Sequence, residues 1–307
     1  MKYNFVKTAA VVPAIEVGEV KSNAKNIISL IKELANNKVE LAVFPELSLT
    51  SSSCGDLFLQ PFFTAQVEVC IAEIAESTKG HDIVITIGAP LAYKNSLYNC
   101  AIVIHNGKII GVTPKQNLNN GTNEPRWFAS GKNLPDNLTI NIAGENIPFT
   151  KGSIYTTPEF SFGFEIGNES QAPLSPGAII ATQGAKIILN PATEAEICGH
   201  NQVLKSAIEQ NSRKYKCGYV HVNSGWGEST SNSVYSGYSA IAECGTIIAE
   251  SERFTTSGHY IISEIDCEKI DKSRLSDSNF QNPETVAEIN IPQAANENET
   301  ICRKFAQ

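Results

Sequence analysis

Short apolar runs alternate with amphipathic stretches along nearly the whole chain, and that alternation restricts its fold more than any other feature. Residues 8–15 and 40–44 read as strands. Between them, residues 21–37 set Ala24, Ile27, Ile28, Ile31, Leu34 and Ala35 on one stripe, the spacing of an amphipathic helix, with Ser22 placed to cap it. The run ending at Phe44 is apolar throughout, as expected of a strand buried on both faces. A helix over residues 62–77 and a strand over 83–87 follow. Asn106-Gly107 then separates two apolar runs, 97–105 and 108–113, a strong local hairpin signal. The second half continues with a strand at 161–166, a short helix at 176–184, a strand at 187–190, a helix at 202–214 and a strand at 218–223. A hairpin over 238–243 and 246–250 turns on Cys244-Gly245, and 259–265 closes the set. Strands, hairpins and helices in this order suggest an α/β fold, a layered sandwich with helices on two sheet faces. From about residue 271 the chain turns polar and reads as a linker or arm.

At 307 residues the chain can bury one large core or two small ones. Its net charge of -8, with no long Lys/Arg block, argues against nucleic acid or an anionic membrane as partner. No apolar stretch reaches the roughly 18–20 residues that span a bilayer. The apolar run at 8–12 is short, is broken by Pro13 and leads to Glu16 and Glu19, so it reads as a first strand rather than an export signal. The cysteines (54, 70, 100, 198, 217, 244, 267 and 302) are scattered and include no Cys-x-x-Cys pair. Reduced, mostly buried thiols in a cytoplasmic protein fit them best. The histidines show no ligand spacing, so neither a structural zinc nor another cofactor is expected.

Four motifs carry chemistry. In Ala42-Val43-Phe44-Pro45-Glu46-Leu47-Ser48-Leu49-Thr50, followed by Cys54-Gly55-Asp56-Leu57-Phe58, Glu46 ends a buried strand, where desolvation can make a carboxylate a base. It could equally be a strand-end glutamate facing water. Lys115, in Gly111-Val112-Thr113-Pro114-Lys115-Gln116-Asn117-Leu118, follows a hairpin strand and could meet a developing oxyanion, or be a surface lysine. Glu124, just beyond, is a possible orienting carboxylate or an ordinary loop residue. Asn190-Pro191-Ala192-Thr193 and Gly225-Trp226-Gly227-Glu228-Ser229-Thr230, the latter leading to Ser236-Gly237-Tyr238-Ser239, offer polar loops that are also plain turns. A short strand then ends in a turn at Phe164-Glu165-Ile166-Gly167-Asn168-Glu169.

Taken together and in this order, from the first strand to about Leu275, these motifs resemble the nitrilase superfamily. Within it they resemble the glutaminase domain of glutamine-dependent NAD synthetases. Phe-Pro-Glu-Leu-x-Leu-Thr with Cys-Gly-Asp-Leu-Phe, and Gly-Glu-Ser-Thr before a Gly-x-Ser hairpin, carry the resemblance, and Ile301-Cys302-Arg303-Lys304-Phe305 is similar to the segment that leads into a synthetase domain. The resemblance implies a four-layer α-β-β-α sandwich: residues 1–270 a glutaminase-type domain, 271–307 an arm toward a synthetase domain. No Ser-Gly-Gly-x-Asp-Ser-type loop occurs, so this chain is not expected to adenylate or amidate a nicotinate dinucleotide by itself. By the same resemblance Glu46 is the base, Lys115 the oxyanion donor and Glu124 the supporting carboxylate. Asn168, Thr193 and Ser229 fall where a glutamine-like amide is held, and homo-oligomers and a synthetase domain or subunit are implied as partners.

Gly167 stands where the resemblance puts the nucleophilic cysteine. Asn168 stands in place of a glutamate, and Ser51-Ser52 in place of Gly-Tyr. Glu196-Ile197-Cys198-Gly199 imitates the missing motif but belongs to the loop after the 187–190 strand. Three functions follow, taken in this order: an inactive nitrilase-fold protein with space where the sulfur would be; an amide hydrolase using another nucleophile, such as Cys198 or water; and a binding module for a small carboxamide, which Asn168 weakens.

Overall fold

A computed structural model describes residues 4–281 and 287–293. Along the chain come β1 (Phe5–Val12), α1 (Val20–Asn36), β2 (Leu41–Val43), α2 (Pro61–Ser77), β3 (Val84–Tyr93), β4 (Ser96–His105) and β5 (Lys108–Pro114). There follow α3 (Glu124–Trp127), β6 (Leu138–Ile142), β7 (Glu145–Phe149), β8 (Ile154–Thr156), β9 (Ser161–Phe164), α4 (Pro176–Thr182) and β10 (Ile187–Ala192). Then come α5 (His200–Lys214), β11 (Gly218–Asn223), β12 (Ser239–Glu243), β13 (Thr246–Glu250), β14 (His259–Asp266), α6 (Cys267–Leu275) and β15 (Glu288–Asn290).

The strands form two sheets, ordered β14-β1-β2-β3-β4-β5-β7-β6 and β13-β12-β11-β10-β9-β8-β15. Three apolar layers hold them. The stripe Ala24, Ile27, Ile31 and Leu34 of α1 packs with Val67, Cys70, Ile71 and Ile74 of α2 on the outer face of the first sheet. Val6, Val43, Val103, Phe162, Leu189 and Val220 meet between the sheets. Ile180, Ile188, Ile208 and Tyr219 join α4 and α5 to the outer face of the second. This is the expected α-β-β-α sandwich. Strands β2, β9, β10 and β11 are buried along their whole length, which explains their continuous apolar runs.

Both expected hairpin turns form: Asn106 and Gly107 have φ of 44° and 81°, and Cys244 and Gly245 have 47° and 98°. Elsewhere the boundaries differ. The first strand stops at Val12 instead of residue 15, because Pro13 has no N–H for the ladder. β3 runs on through Pro90 to Tyr93 instead of ending at 87. Beyond Thr86 it no longer pairs with β2, so the proline interrupts no ladder on that side. Ser22 does not cap α1; Glu19 precedes the helix, and the Ser22 hydroxyl donates to Glu16 at 3.2 Å. The β6–β7 hairpin and the short β8 and β15 were not expected.

The chain beyond residue 271 is not simply an arm. Residue 271 lies within α6, which Asp266 caps by accepting from the Lys269 amide at 2.9 Å. Residues 288–290 return parallel to β8, and Ile291 is buried between the sheets. A chain this polar still packs, because a few apolar side chains per element suffice to seat it. Cys302 and the 301–305 segment lie outside the described residues.

Candidate functional site

The C-terminal ends of β2, β5, β9 and β10 converge, and each delivers one piece of the site. After β2 the backbone turns sharply, with Leu47 at φ 54°. The turn lies against Gly88 of β3, where a Cβ would come within 2.2 Å of the Leu47 nitrogen; only glycine lets the two backbones pass this closely. The turn aims Glu46 inward, 3% exposed, at Lys115, also 3% exposed. Lys115 is set by its own backbone: its N–H donates to Asn99 at 2.8 Å, and its carbonyl accepts from Gly131 at 2.8 Å.

Lys115 Nζ donates to Glu46 Oε1 at 2.7 Å and lies 2.9 Å from Glu124 Oε1 and 3.1 Å from its Oε2. Asn99 Nδ2 bridges the same two carboxylates at 2.6 and 3.1 Å. Thr193 N donates to Glu46 Oε2 at 3.1 Å, and Asn119 N to Glu124 Oε2 at 2.7 Å. Burial pushes the Glu46 carboxyl up and Glu124 adds to this, against the pull of Lys115. Burial works against the Lys115 charge as well, but the two carboxylates outweigh it and hold its pKa above the usual lysine range. The geometry thus gathers Glu46, Lys115, Glu124 and Thr193 as the sequence suggests, and adds Asn99. Asn99 sits inside an apolar strand, and a buried amide there was the signal available for finding it.

Gly167, three residues past the end of β9, faces this cluster with φ 54°, a conformation that strains any side chain. A Cβ there would point straight at the pair: 2.6 Å from Glu46 Oε2 and 3.1 Å from Lys115 Nζ. Position 167 therefore faces the Glu46–Lys115 pair, but the space expected there is not open. The Glu46 carboxylate already lies against it, so even a methyl group would require Glu46 to move. The elbow itself is firmly built. Asn190 Nδ2 donates to the carbonyls of Glu165 and Gly167 at 2.7 and 3.0 Å, and His221 Nδ1 meets Asn190 Oδ1 at 2.7 Å. Glu169 accepts from the amides of Gln116, Asn117 and Ile166 at 2.5, 2.9 and 2.6 Å, tying β9 to β5 across the sheets. Burial pushes the Glu169 carboxyl up to about 7 against those three donors.

A cavity of about 520 Å³ opens over the cluster, lined among others by Glu46, Lys115, Glu124, Asn168, Thr193 and Ser229. Ser229 bonds to Ser231 (Oγ to Oγ, 2.7 Å) at the rim. Glu228, behind it, accepts from Ser51 Oγ, Ser52 N and Ser53 Oγ at 2.6, 2.9 and 2.5 Å; the Ser51-Ser52 departure is thus built into a carboxylate-pinned loop. No cysteine of the described residues lines the cavity. Cys198 is exposed on the loop before α5. Cys54 donates to the Thr50 carbonyl at 2.9 Å, and burial pushes its thiol up to about 12, with Glu228 adding to the shift.

Comparison with known proteins agrees with this geometry. Residues 7–275 match the carbon-nitrogen hydrolase family. The glutamine-dependent NAD(+) synthetase of Mycobacterium leprae is 30% identical over 281 residues, 90% of this chain and 41% of its own length. That of Arabidopsis thaliana is 28% identical over 278 residues, 86% of this chain and 38% of its length. In the crystal structure of a glutamine-dependent NAD(+) synthetase from Cytophaga hutchinsonii, 27% identical, the match has a TM-score of 0.75 and covers 85% of this chain and 43% of that one. The chain therefore spans less than half the length of these relatives, and the resemblance to their glutaminase portion holds.

Proposed function

The chain belongs to the carbon-nitrogen hydrolase family, and from that premise we propose that it is a glutaminase-type domain that does not hydrolyse glutamine by the family's covalent route. One observation carries this reading: the residue held on the Glu46–Lys115 pair is Gly167, and no cysteine of the described residues reaches the cavity. A carboxylate base raises the rate by deprotonating an adjacent nucleophile. Here Glu46 has none to deprotonate, and its oxygens are engaged by Lys115, Asn99 and Thr193. Removing a covalent nucleophile lowers kcat by on the order of 10⁶ in a serine protease, and a loss of that order is expected here.

What the site retains is a ligand pocket with a fixed floor. Lys115 and the backbone around position 167 can still polarise a carbonyl, so binding of a small polar molecule without turnover is the activity this reading assigns. A synthetase domain or subunit as partner, a homo-oligomeric assembly and a cytoplasmic location belong to the same proposal. Size-exclusion chromatography with light scattering tests the assembly. Among the described residues no helix is long and apolar enough to cross a membrane.

The experiment is ammonia release from glutamine by the protein and by Gly167→Cys. The reading expects none above background from the protein itself. Release by Gly167→Cys alone would identify Gly167 as the sole lesion. Silence from both would mean that Glu46 no longer yields the space a side chain needs. Turnover by the unmodified protein would overturn the reading.

A further inference from the structure

The part of the cavity beyond β9 and β10 carries hydrogen-bond acceptors that have no partner among the described residues. Glu194 lines the cavity just beyond β10, and among the described residues neither of its carboxylate oxygens has a hydrogen-bond partner, though both are shut away from solvent. Asn168, on the same cavity, has its Oδ1 buried and unpartnered as well. A buried oxygen left this way is unfavourable, more so when charged, unless a ligand supplies the donor. The charges of the lining point the same way. Among the described residues its ionisable acids are Glu46, Glu124 and Glu194, whereas Lys115 is its only lysine or arginine, and Lys115 is already shared between Glu46 and Glu124. Among the described residues no arginine or second lysine lines the cavity to receive a ligand carboxylate. Trp127 and Tyr235 add aromatic surface, which favours an organic cation over an anion.

We propose that the pocket binds a small organic cation, a primary ammonium or guanidinium, through the Glu194 carboxylate and the Asn168 carbonyl. This deepens the ligand-pocket reading above and rests on it for the location of the site, but not on whether any turnover occurs. A charge-assisted contact at a buried carboxylate is about twice as strong as a neutral one. A zwitterionic amino acid would bring a carboxylate with no cationic partner of its own. The preferred ligand is therefore an amine that lacks that carboxylate. Burial pushes the Glu194 carboxyl above its ordinary range, opposed by His200 and Lys115; a bound cation would favour its ionised form further.

The test is calorimetric titration of the full chain with 4-aminobutanamide, a cationic carboxamide, beside glutaramate, its anionic counterpart, and glutamine. The proposal expects the cation to bind at least tenfold more tightly than glutaramate, with glutamine between them. Glu194→Gln should lose at least tenfold of the cation affinity without lowering Tm, since it removes a buried charge. Asn168→Asp should strengthen cation binding several-fold, an independent check should Glu194→Gln fold poorly. Equal or tighter binding of glutaramate, or an affinity indifferent to both substitutions, would overturn the proposal. So would no binding of the cation at millimolar concentration. Ammonia release from glutamine accompanied by cation preference would instead sink the inactive-hydrolase reading and leave this one standing.

Discussion

The two walls of the cavity differ in how their polar groups are satisfied. The wall built on the first sheet is nearly closed upon itself: Lys115 lies between Glu46 and Glu124, Asn99 bridges the two carboxylates, and only Asn99 Oδ1 is left over. The wall built on the second sheet presents Gly167 without a side chain and the bare oxygens of Asn168 and Glu194. The first wall keeps its shape with or without a ligand, because Lys115 and Asn99 each hold both of its carboxylates. The second needs a donor from outside. The charged cluster of one wall is thus held by its own contacts, whereas the adjoining wall leaves buried acceptors without partners.

If the first wall is structural, breaking it should have the largest effect. Lys115→Met leaves two buried carboxylates facing each other and should destabilise the fold by about 3–5 kcal/mol, measured by urea denaturation. A loss under about 1 kcal/mol would mean that water reaches the cluster freely. On the second wall, the elbow should depend on Asn190. Asn190→Ala strands the carbonyls of Glu165 and Gly167 and should lower stability by about 2–3 kcal/mol.

Gly167→Ala probes the boundary between the walls. Its left-handed backbone and the 2.6 Å approach to Glu46 should make it less stable by about 1–2 kcal/mol. A neutral result would show that Glu46 swings aside without resistance. The smallest effect is a pH slope. His221 is buried, and desolvation depresses its pKa from 6.5 to about 4. The unfolded chain therefore takes up the proton first, so the stability present above pH 6.5 is lost as pH falls toward 4. Between pH 7 and 6 that loss stays under about 1 kcal/mol and should vanish in His221→Gln, in a comparison of Tm against pH.

The strands that carry Glu46 and Lys115 were legible from their apolar runs, but those runs left open whether either side chain faced water; only the motif resemblance brought the two together. Gly167 was legible too, as a glycine closing the Phe162–Ile166 run. Asn99 left one trace, an amide inside an apolar strand, but no turn or motif tied it to the site. Glu194 and Glu169 were hidden because their roles depend on which strand ends meet across the two sheets, a pairing that periodicity does not encode. The β6–β7 hairpin left a readable trace in alternating Ile140 and Ile142 with Ala143-Gly144 at its turn. β15 left almost none, being three residues in a polar stretch.

The central claim is that no nucleophile faces the Glu46–Lys115 pair. Its most direct test is intact-mass spectrometry after incubation with a diazoketone analogue of glutamine, followed by peptide mapping. The account predicts that the protein gains no saturable adduct at the cavity and that any slow labelling falls on exposed Cys198 without protection by a pocket ligand. A saturable adduct on a cavity residue, or on Cys198 with protection by glutamine, would contradict it.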